Sequence, residues 1–330
     1  MDNRGPLPPR TISAGEPEWG GARARAPAAP DDPPTAEMET RLMVGWKSRV
    51  PLRWKIHALY CLNRVGRLGE ILRYLFVAPK ENKRFHVVSC ERHAREAAAR
   101  CLDSVYIQDY DRRLVRHVFI DDASEDETPR VVEEWLAEHP DHNVEYIRNS
   151  QRMGGCANTL RGYRTAPPGS VVMEMNGDDW FPDPGVMAFL SKVYADDDVW
   201  MTCNSRVLAD GAFWSLSRPY PKRVVERNAF RDARWFGGAL QTFRSELLRY
   251  VDEEKSLIDP KTGEYWANAD DLAFFLCLFE LCGRHARHLY RINYVYNLRS
   301  ESEGNVDPGG PAERTRRIRL APRHRPLERL

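Results

Sequence analysis

Polar side chains collect at the ends of three apolar, strand-like runs of this sequence, FHVVSC, VRHVFI and VVMEM. The residues at these ends are Ser89, Cys90, Glu91, Asp121, Asp122, Asn176, Gly177, Asp178 and Asp179. Carboxylate oxygens repel phosphate, but a divalent cation between a carboxylate and a diphosphate balances the charge. A carboxylate also accepts hydrogen bonds from the N–H of a base or from a ribose hydroxyl. These residue types are therefore typical of a site that binds a cation together with a nucleoside diphosphate.

The segments that must position these residues alternate between strand and helix patterns from Phe85 onward. The helical stretches HAREAAARCLDSVYIQ, RVVEEWLAEH and GCANTLRGYRTA separate the apolar runs, and Thr128 with Pro129 suits an N-cap followed by a first helical residue. This alternation predicts an α/β fold whose mainly parallel sheet carries helices on both faces. Ligands of such sheets bind beyond the carboxyl ends of the strands, so the polar clusters are expected to meet at one edge.

Four regions are predicted along the chain. Residues 1–40 form a tail whose first 36 residues include eight prolines, and it is expected to be disordered because it has little apolar surface to bury. Residues 41–83 are a basic, amphipathic helical segment, and residues 84–300 hold the α/β domain. Residues 301–330 form an Arg-rich tail that suits either a solvated end or a binding arm.

The segment 41–83 has an unusual balance of charge. Between residues 41 and 84, eleven Lys or Arg face two acids, Glu70 and Glu81. Apolar residues recur at helical spacing, which defines one apolar face; they are Trp54, Ala58, Cys61, Val65, Leu68, Leu72 and Leu75. Three interpretations stay open: a helix packed on the main domain, an interfacial helix in peripheral contact with an anionic membrane, or a surface for a partner.

The overall composition argues against several classes of protein. The net charge is +1, from 49 basic and 48 acidic residues, which makes no case for nucleic acid as a partner. The seven cysteines include no Cys-X-X-Cys pair, so we expect neither zinc nor a disulfide framework. We expect no secretory signal and no transmembrane helix, because the sequence has neither the polarity pattern nor an apolar run that these require. A cytoplasmic location is predicted, with a peripheral position at the inner face of a membrane as an option.

Five segments together resemble family 2 glycosyltransferases. FIDDASEDETP resembles the strand-end motif of that family, and RNSQRMGGCANTLRGYRTA resembles its Gly- and Asn-containing segment. MEMNGDDWFPDP is similar to the metal-binding Asp-X-Asp region, while WFGGALQTFRSELL and ANADDLAFFLCLFELCG are similar to the acceptor-side segment and the helix with the catalytic base. Each motif is weak by itself, but the five occur in the family's order and span the central domain.

The resemblance implies a fold, a donor and a reaction. The fold is GT-A, a Rossmann-like three-layer α/β sandwich with a mainly parallel central sheet. The donor is a nucleotide sugar, expected to be UDP-linked, and the cofactor is a divalent cation, Mn²⁺ or Mg²⁺. The reaction inverts the anomeric carbon by direct displacement. The acceptor could be a glycan, a lipid-linked molecule or a protein.

The resemblance also implies roles for individual residues. Asp178 would bind the metal with help from Asp179, and Asp271 would be the general base. The nucleotide would contact residues of four segments: Ser89, Cys90 and Glu91; Asp121 and Asp122; Arg152, Gly155 and Asn158; and Asn176 and Gly177. Within this set Asp121 and Asp122 would hold the base and ribose, and Arg152 would face the diphosphate.

Two positions depart from the family pattern. Asn176 stands at the first position of the expected Asp-X-Asp motif, and its amide oxygen can bind a hard cation but brings no charge. Asn297 stands where many relatives have a histidine that completes the metal site. Asn176 is expected to weaken the affinity for the cation, for which Asp179 could compensate, and at Asn297 the family's histidine ligand is missing.

Each motif also has a purely structural interpretation. Asp121 and Asp122 could cap the next helix, and Asp178 with Asp179 could belong to a turn before a proline. Gly155 could belong to a tight turn at the start of a helix. Asp271 could be one of the acids favoured at a helix N-terminus, and its neighbour Asp270 is the rival candidate for the base.

Two other functions use similar scaffolds. A sugar nucleotidyltransferase normally has a Gly-rich loop with a basic residue after the first strand, and here Cys90 and Glu91 occupy that place. A non-catalytic sugar-nucleotide-binding module on a degenerate transferase scaffold would fit Asn176 but not the retained Asp178 and Asp271. No Gly-X-Gly-X-X-Gly follows the first strand, which disfavours a dehydrogenase. Acceptor contacts are expected from residues 208–240, where Trp214, Tyr220 and Trp235 could stack on a sugar.

Overall fold

Seven strands form one mixed sheet in the order β3-β2-β1-β4-β6-β5-β7. The computed structural model describes residues 65–79, 81–209, 217–260, 262–266, 270–297, 316 and 318–328, and of Asp270 only the backbone. The strands are β1 (Arg84–Glu91), β2 (Val115–Asp121), β3 (Val144–Arg148), β4 (Ser170–Glu174), β5 (Met201–Leu208), β6 (Gln241–Arg244) and β7 (Ala286–Tyr296). Strand β6 runs antiparallel to both of its neighbours, and the other pairings are parallel. The predicted mainly parallel sheet is confirmed.

Helices cover both faces of this sheet. They are α1 (65–74), α2 (Glu96–Tyr106), α3 (Thr128–Glu138), α4 (Gly155–Arg164), α5 (Val186–Val193), α6 (Lys222–Glu226), α7 (Glu253–Ser256) and α8 (Asp270–Cys282). Adjacent strand residues point to opposite faces, so Val87 packs in a core with α2, α3 and α5, whereas Val88 packs in a second core with α4 and α8. The predicted three-layer α/β sandwich is therefore present.

Helix α8 lies deepest in the second layer. Every residue from Leu272 to Cys282 is buried. A helix that is apolar on all sides has to be enclosed on all sides, and the residues 318–328 cover it away from the sheet: Ile318 is buried, and the Leu327 N–H donates to the Leu281 carbonyl at 2.9 Å. This part of the predicted solvated tail is thus packed. In the described residues no helix is long and apolar enough to cross a bilayer.

Helix α1 covers the edge of the sheet, but not with the face that the sequence suggests. Gly66, Glu70 and Tyr74 face the domain, and the Glu70 carboxylate accepts the backbone N–H groups of Tyr290 and Arg291 in β7. An edge strand presents N–H groups that lack a ladder partner, and a carboxylate satisfies two of them. The stripe residues Val65, Leu68 and Leu72 are exposed, so the helix packs on the domain through a face other than this stripe. The predictions for residues 1–40, 41–64 and 298–315 lie outside the described residues.

Candidate active site

The carboxyl ends of β1, β2 and β4 meet at one edge of the sheet. Glu91 is the register partner of Asp121, and the segment after β4 follows β1, since the Gly177 N–H donates to the Cys90 carbonyl at 3.4 Å. A Cβ atom on Gly177 would stand 2.6 Å from the Cβ of Glu91. Only glycine permits this approach, so the residue type at position 177 brings the third cluster against the first.

Three carboxylates gather at this junction. Asp178 and Asp179 are 5% and 0% exposed, and the Asp178 side chain hydrogen-bonds to Glu91. Burial and the charge of Asp178 raise the pKa of Glu91 well above its usual value and that of Asp179 to about 8. Carboxylates this close cannot all be ionised unless a positive charge joins them, so the site favours either a shared proton or a cation.

Asp178 and Asp179 are adjacent in the chain but have different contacts. Asp179 accepts hydrogen bonds from the Tyr294 hydroxyl and the Asn297 backbone N–H, both at 2.6 Å, and from the Asn176 side chain at 3.2 Å. Asn297 also donates from its side-chain amide to the Asp178 carbonyl at 3.3 Å. Asp179 therefore anchors the segment to β7, which contrasts with its predicted role as a metal ligand.

The chemistry of this donor set fits a hard divalent cation. Asp178 and Glu91 supply carboxylate oxygens, and the exposed Asn176 directs its amide nitrogen to Asp179, which leaves its oxygen for another contact. In the described part of the chain, no three His, Cys, Asp or Glu side chains stand at metal-ligand spacing. Mg²⁺ sites are commonly built from one or two carboxylates together with the phosphates of a substrate, so two carboxylates are sufficient.

Asp121 and Asp122 shape the loops beside the site. Asp121 has no exposed surface and accepts the Ser124 N–H at 2.8 Å. Asp122 accepts the backbone N–H groups of Met153 at 2.7 Å and Gly154 at 2.8 Å. Burial would raise the pKa of Asp122, but these hydrogen bonds outweigh it and the pKa lies below its usual value. Neither aspartate caps the next helix, and the expected contact of Asp121 with a base does not fit a buried carboxylate whose oxygens have internal partners.

Two further predicted contact residues are placed behind the site. The Ser89 hydroxyl is buried against the His117 ring nitrogen at 2.9 Å. Asn158 is 1% exposed, and its side-chain oxygen accepts the Asn149 amide at 2.8 Å. Both side chains therefore support the loops and do not face a ligand. Arg152 and Gly155, in contrast, are exposed at the start of α4.

The predicted base lies at the first turn of α8. Asp271 is exposed, and its carboxylate accepts the Leu272 N–H at 2.6 Å. It lines a small cavity together with Glu174, which accepts the Tyr163 hydroxyl at 2.7 Å. Asp271 is therefore a solvent-exposed carboxylate in the lining of this cavity.

A cation that no sequence motif indicates lies near these groups. Arg206 of β5 stacks over the Tyr296 ring at 4.5 Å. Burial lowers the pKa of Arg206, and the nearby groups Tyr296, Asp179 and Asp271 oppose this effect. An arginine inside a strand has no motif around it, so only the tertiary structure shows that it lies near acids from two sides of the site.

The aromatic residues on the acceptor side pack mainly into the core. The Tyr220 ring contacts Phe230, Phe236 and Phe279, with centroids 4.8–5.2 Å apart. This tyrosine is therefore not available for stacking on a sugar. Trp235 is half-buried with its ring 5.7 Å from Phe279, and Trp214 lies outside the described residues.

Comparisons with known proteins agree with this architecture. The structure resembles S. aureus TarS 1-349 in complex with UDP, with a TM-score of 0.52, 16% identity and coverage of 71% of this chain and 64% of that chain. A second structure of S. aureus TarS 1-349 gives a TM-score of 0.50 and 15% identity over 65% of this chain and 60% of that chain. The chain thus spans under two thirds of these proteins, and the likeness confirms the GT-A fold. No curated protein matches closely enough to compare.

A family model also matches the sequence directly. The model described as "Glycosyl transferase family 2" matches residues 86–250, which is half of the chain. The match includes β1 to β6 and therefore the three strand ends that carry Glu91, Asp122 and Asp178. The chain belongs to glycosyl transferase family 2.

Proposed function

We propose that the protein transfers a sugar from a UDP-linked donor to an acceptor hydroxyl, with inversion and with the help of Mn²⁺ or Mg²⁺. The observation that carries the proposal is the gathering of Glu91, Asp178 and Asn176 at one sheet edge, with Arg206 near Asp179 and Asp271. One side of the edge suits a cation and diphosphate, and the other has a carboxylate open to solvent. TarS, which shares the fold, has been observed with UDP, which supports the choice of nucleotide.

Asp178 and Glu91 would hold the cation, with the amide oxygen of Asn176 as a third donor. When bound, a divalent cation supplies positive charge that stabilises the diphosphate as it leaves. Arg206 adds a fixed positive charge near the same acids, and Arg152 lies on the exposed loop where it could face the phosphates. Asp122 acts indirectly, because it holds the backbone of residues 153 and 154 that lead into α4.

Asp271 would take the proton of the acceptor. The acceptor oxygen forms a bond to the anomeric carbon as the bond from that carbon to the diphosphate breaks, and the bonding electrons leave with the diphosphate. A neutral hydroxyl is a weak nucleophile, and a carboxylate within hydrogen-bond reach can remove its proton as the new bond forms. Entry of the acceptor opposite the leaving group inverts the configuration of the carbon.

Calorimetry with UDP and GDP, each with and without Mn²⁺, tests the donor site. We expect UDP to bind more tightly when Mn²⁺ is present, and Asp178→Asn to remove most of that gain because a carboxylate ligand is lost. The matched control is Asp197→Asn, since the Asp197 side chain is 95% exposed and lies before β5 at the opposite end of the sheet. If the affinity for UDP did not depend on Mn²⁺ in either the wild type or Asp178→Asn, the proposed metal site would be contradicted.

A further inference from the structure

Six large apolar side chains on and after α1 are exposed to solvent. We call this surface the α1 apolar face; it consists of Val65 (71% exposed), Leu68 (59%), Ile71 (50%), Leu72 (62%), Leu75 (54%) and Phe76 (89%). Single exposed apolar residues are common, but a contiguous group of this size marks a binding surface.

The α1 apolar face cannot turn toward the domain, because the opposite face of the helix is held there. Glu70 accepts two backbone N–H groups of β7, and the Tyr74 hydroxyl accepts a hydrogen bond from Arg287 at 3.0 Å. A Cβ atom at Gly66 would stand 2.4 Å from the Tyr290 ring, so a glycine is needed for the helix to lie so close. Rotation of the helix would break all three contacts.

The segment that contains the α1 apolar face is strongly basic. Glu70 is the only acid between residues 41 and 80, and it is buried against β7. Arg67 and Arg73 are exposed on the helix, and the chain from 41 to 84 contains eleven Lys or Arg. Docking of Glu70 therefore removes the one negative charge of α1 from solvent and leaves Arg67 and Arg73 exposed beside the apolar side chains.

We propose that the α1 apolar face lies on an anionic lipid bilayer. A helix with an apolar face bordered by Arg and Lys can enter the boundary between headgroups and acyl chains, where anionic lipids attract its cations.

Vesicle flotation with the full chain tests the proposal. We compare vesicles of phosphatidylcholine alone with vesicles that contain about one third phosphatidylglycerol. We expect binding to the anionic vesicles, with a decrease as salt is raised. The double variant Leu72→Glu/Phe76→Glu should lower the partition coefficient by more than about tenfold, because two apolar side chains become charged. Both positions are exposed, so the fold should tolerate the change.

The matched control is Leu320→Glu, because Leu320 is 71% exposed but belongs to the C-terminal segment. Leu320→Glu should bind vesicles as the wild type does. All of these variants should bind UDP with unchanged affinity, so a failure of the membrane proposal can be distinguished from a failure of the proposed donor site. Equal flotation of the double variant and the wild type, or no flotation of the wild type, would overturn it. The wild type could instead fail to bind vesicles and form a dimer that light scattering detects. If the double variant were then monomeric, the α1 apolar face would be assigned to contact with a second copy of the chain.

Discussion

The acidic residues of the site divide into those that hold the protein together and those that can meet a ligand. Asp121, Asp122 and Asp179 are buried, and backbone N–H groups or a tyrosine hydroxyl occupy their oxygens. Asp178 pairs with a second carboxylate, and Asp271 is exposed. A carboxylate that keeps internal partners stabilises a loop, whereas a pair of like charges gains from an incoming cation. The candidates for chemistry are therefore Asp178 and Asp271.

Replacing Asp271 with Asn should lower turnover about 10²–10⁴-fold, because the amide cannot take the acceptor proton. Donor affinity should be nearly unchanged, since the proposed contact is with the acceptor. Turnover with an accepted donor and the dissociation constant of UDP are the two measurements. Asp270→Asn serves as the control and should retain turnover. If Asp270→Asn lost turnover and Asp271→Asn retained it, the base would be Asp270. A loss of UDP binding in Asp271→Asn would contradict the assignment of Asp271 to the acceptor side.

Among the elements, α8 depends on a charged pair that lies entirely out of water. The Arg231 guanidinium donates to both carboxylate oxygens of Glu280, at 2.7 and 3.1 Å, and to the Ile318 carbonyl at 2.7 Å. Burial would raise the pKa of Glu280, but its hydrogen bonds with His324 and Arg231 hold it below the usual value. The pair thereby joins α8, the segment before β6 and the C-terminal residues, and so supports the helix that presents Asp271.

Arg231→Met should lower the free energy of unfolding by about 3–5 kcal/mol, because it removes the guanidinium that donates to both oxygens of the buried Glu280 carboxylate. Arg323→Met is the matched control: its ion pair with Asp232 is exposed, and its loss should cost less than about 1 kcal/mol. Urea denaturation provides both values. The double variant Arg231→Met/Glu280→Leu should recover part of the stability that Arg231→Met loses. Equal losses of stability in Arg231→Met and Arg323→Met would contradict the role assigned to the buried pair.

At the scale of the whole molecule, histidines buried in the sheet tie stability to pH. His86 and His117 are 0% and 1% exposed, and burial lowers the pKa of both, that of His117 to about 3. The His117 ring contacts the Ser89 hydroxyl under the strand ends. A neutral histidine of this kind is protonated more easily in the unfolded chain than in the folded one.

The native state should therefore lose stability as pH falls below about 6.5, the ordinary pKa of histidine in an unfolded chain. The folded pKa of His117 is about 3, so its contribution is complete above pH about 6.5 and declines toward pH 3 by roughly 1.4 kcal/mol per pH unit. Urea denaturation of His117→Gln should show a pH slope smaller by about one proton between pH 5 and 6. Identical slopes in variant and wild type would show that His117 is already protonated in the fold.

The sequence determined the layers, the direction of most strands and the edge at which the polar clusters meet. A few consecutive apolar residues are enough to predict each of the strands β1, β2 and β4. Glu91, Asp121 and Asp178 are at or next to the ends of these runs in the chain. Local periodicity reports which residues are apolar and where an element ends. Because the carboxyl ends of parallel strands lie together, the location of the site also follows from the sequence.

The tertiary structure alone decided what each of these groups faces. Asp179 receives its hydrogen bond from Tyr294, 115 positions later, and Glu70 finds its partner at Arg291, 221 positions later. Arg206 reaches the site from a strand without any motif. The pattern of residues that are close in the chain identifies the apolar face of a helix. It does not identify what that face contacts, because the contacting residues are distant in sequence and come near only when the chain folds. For the same physical reason the helical spacing identified the apolar stripe of α1, but only the fold shows which face of the helix meets the domain.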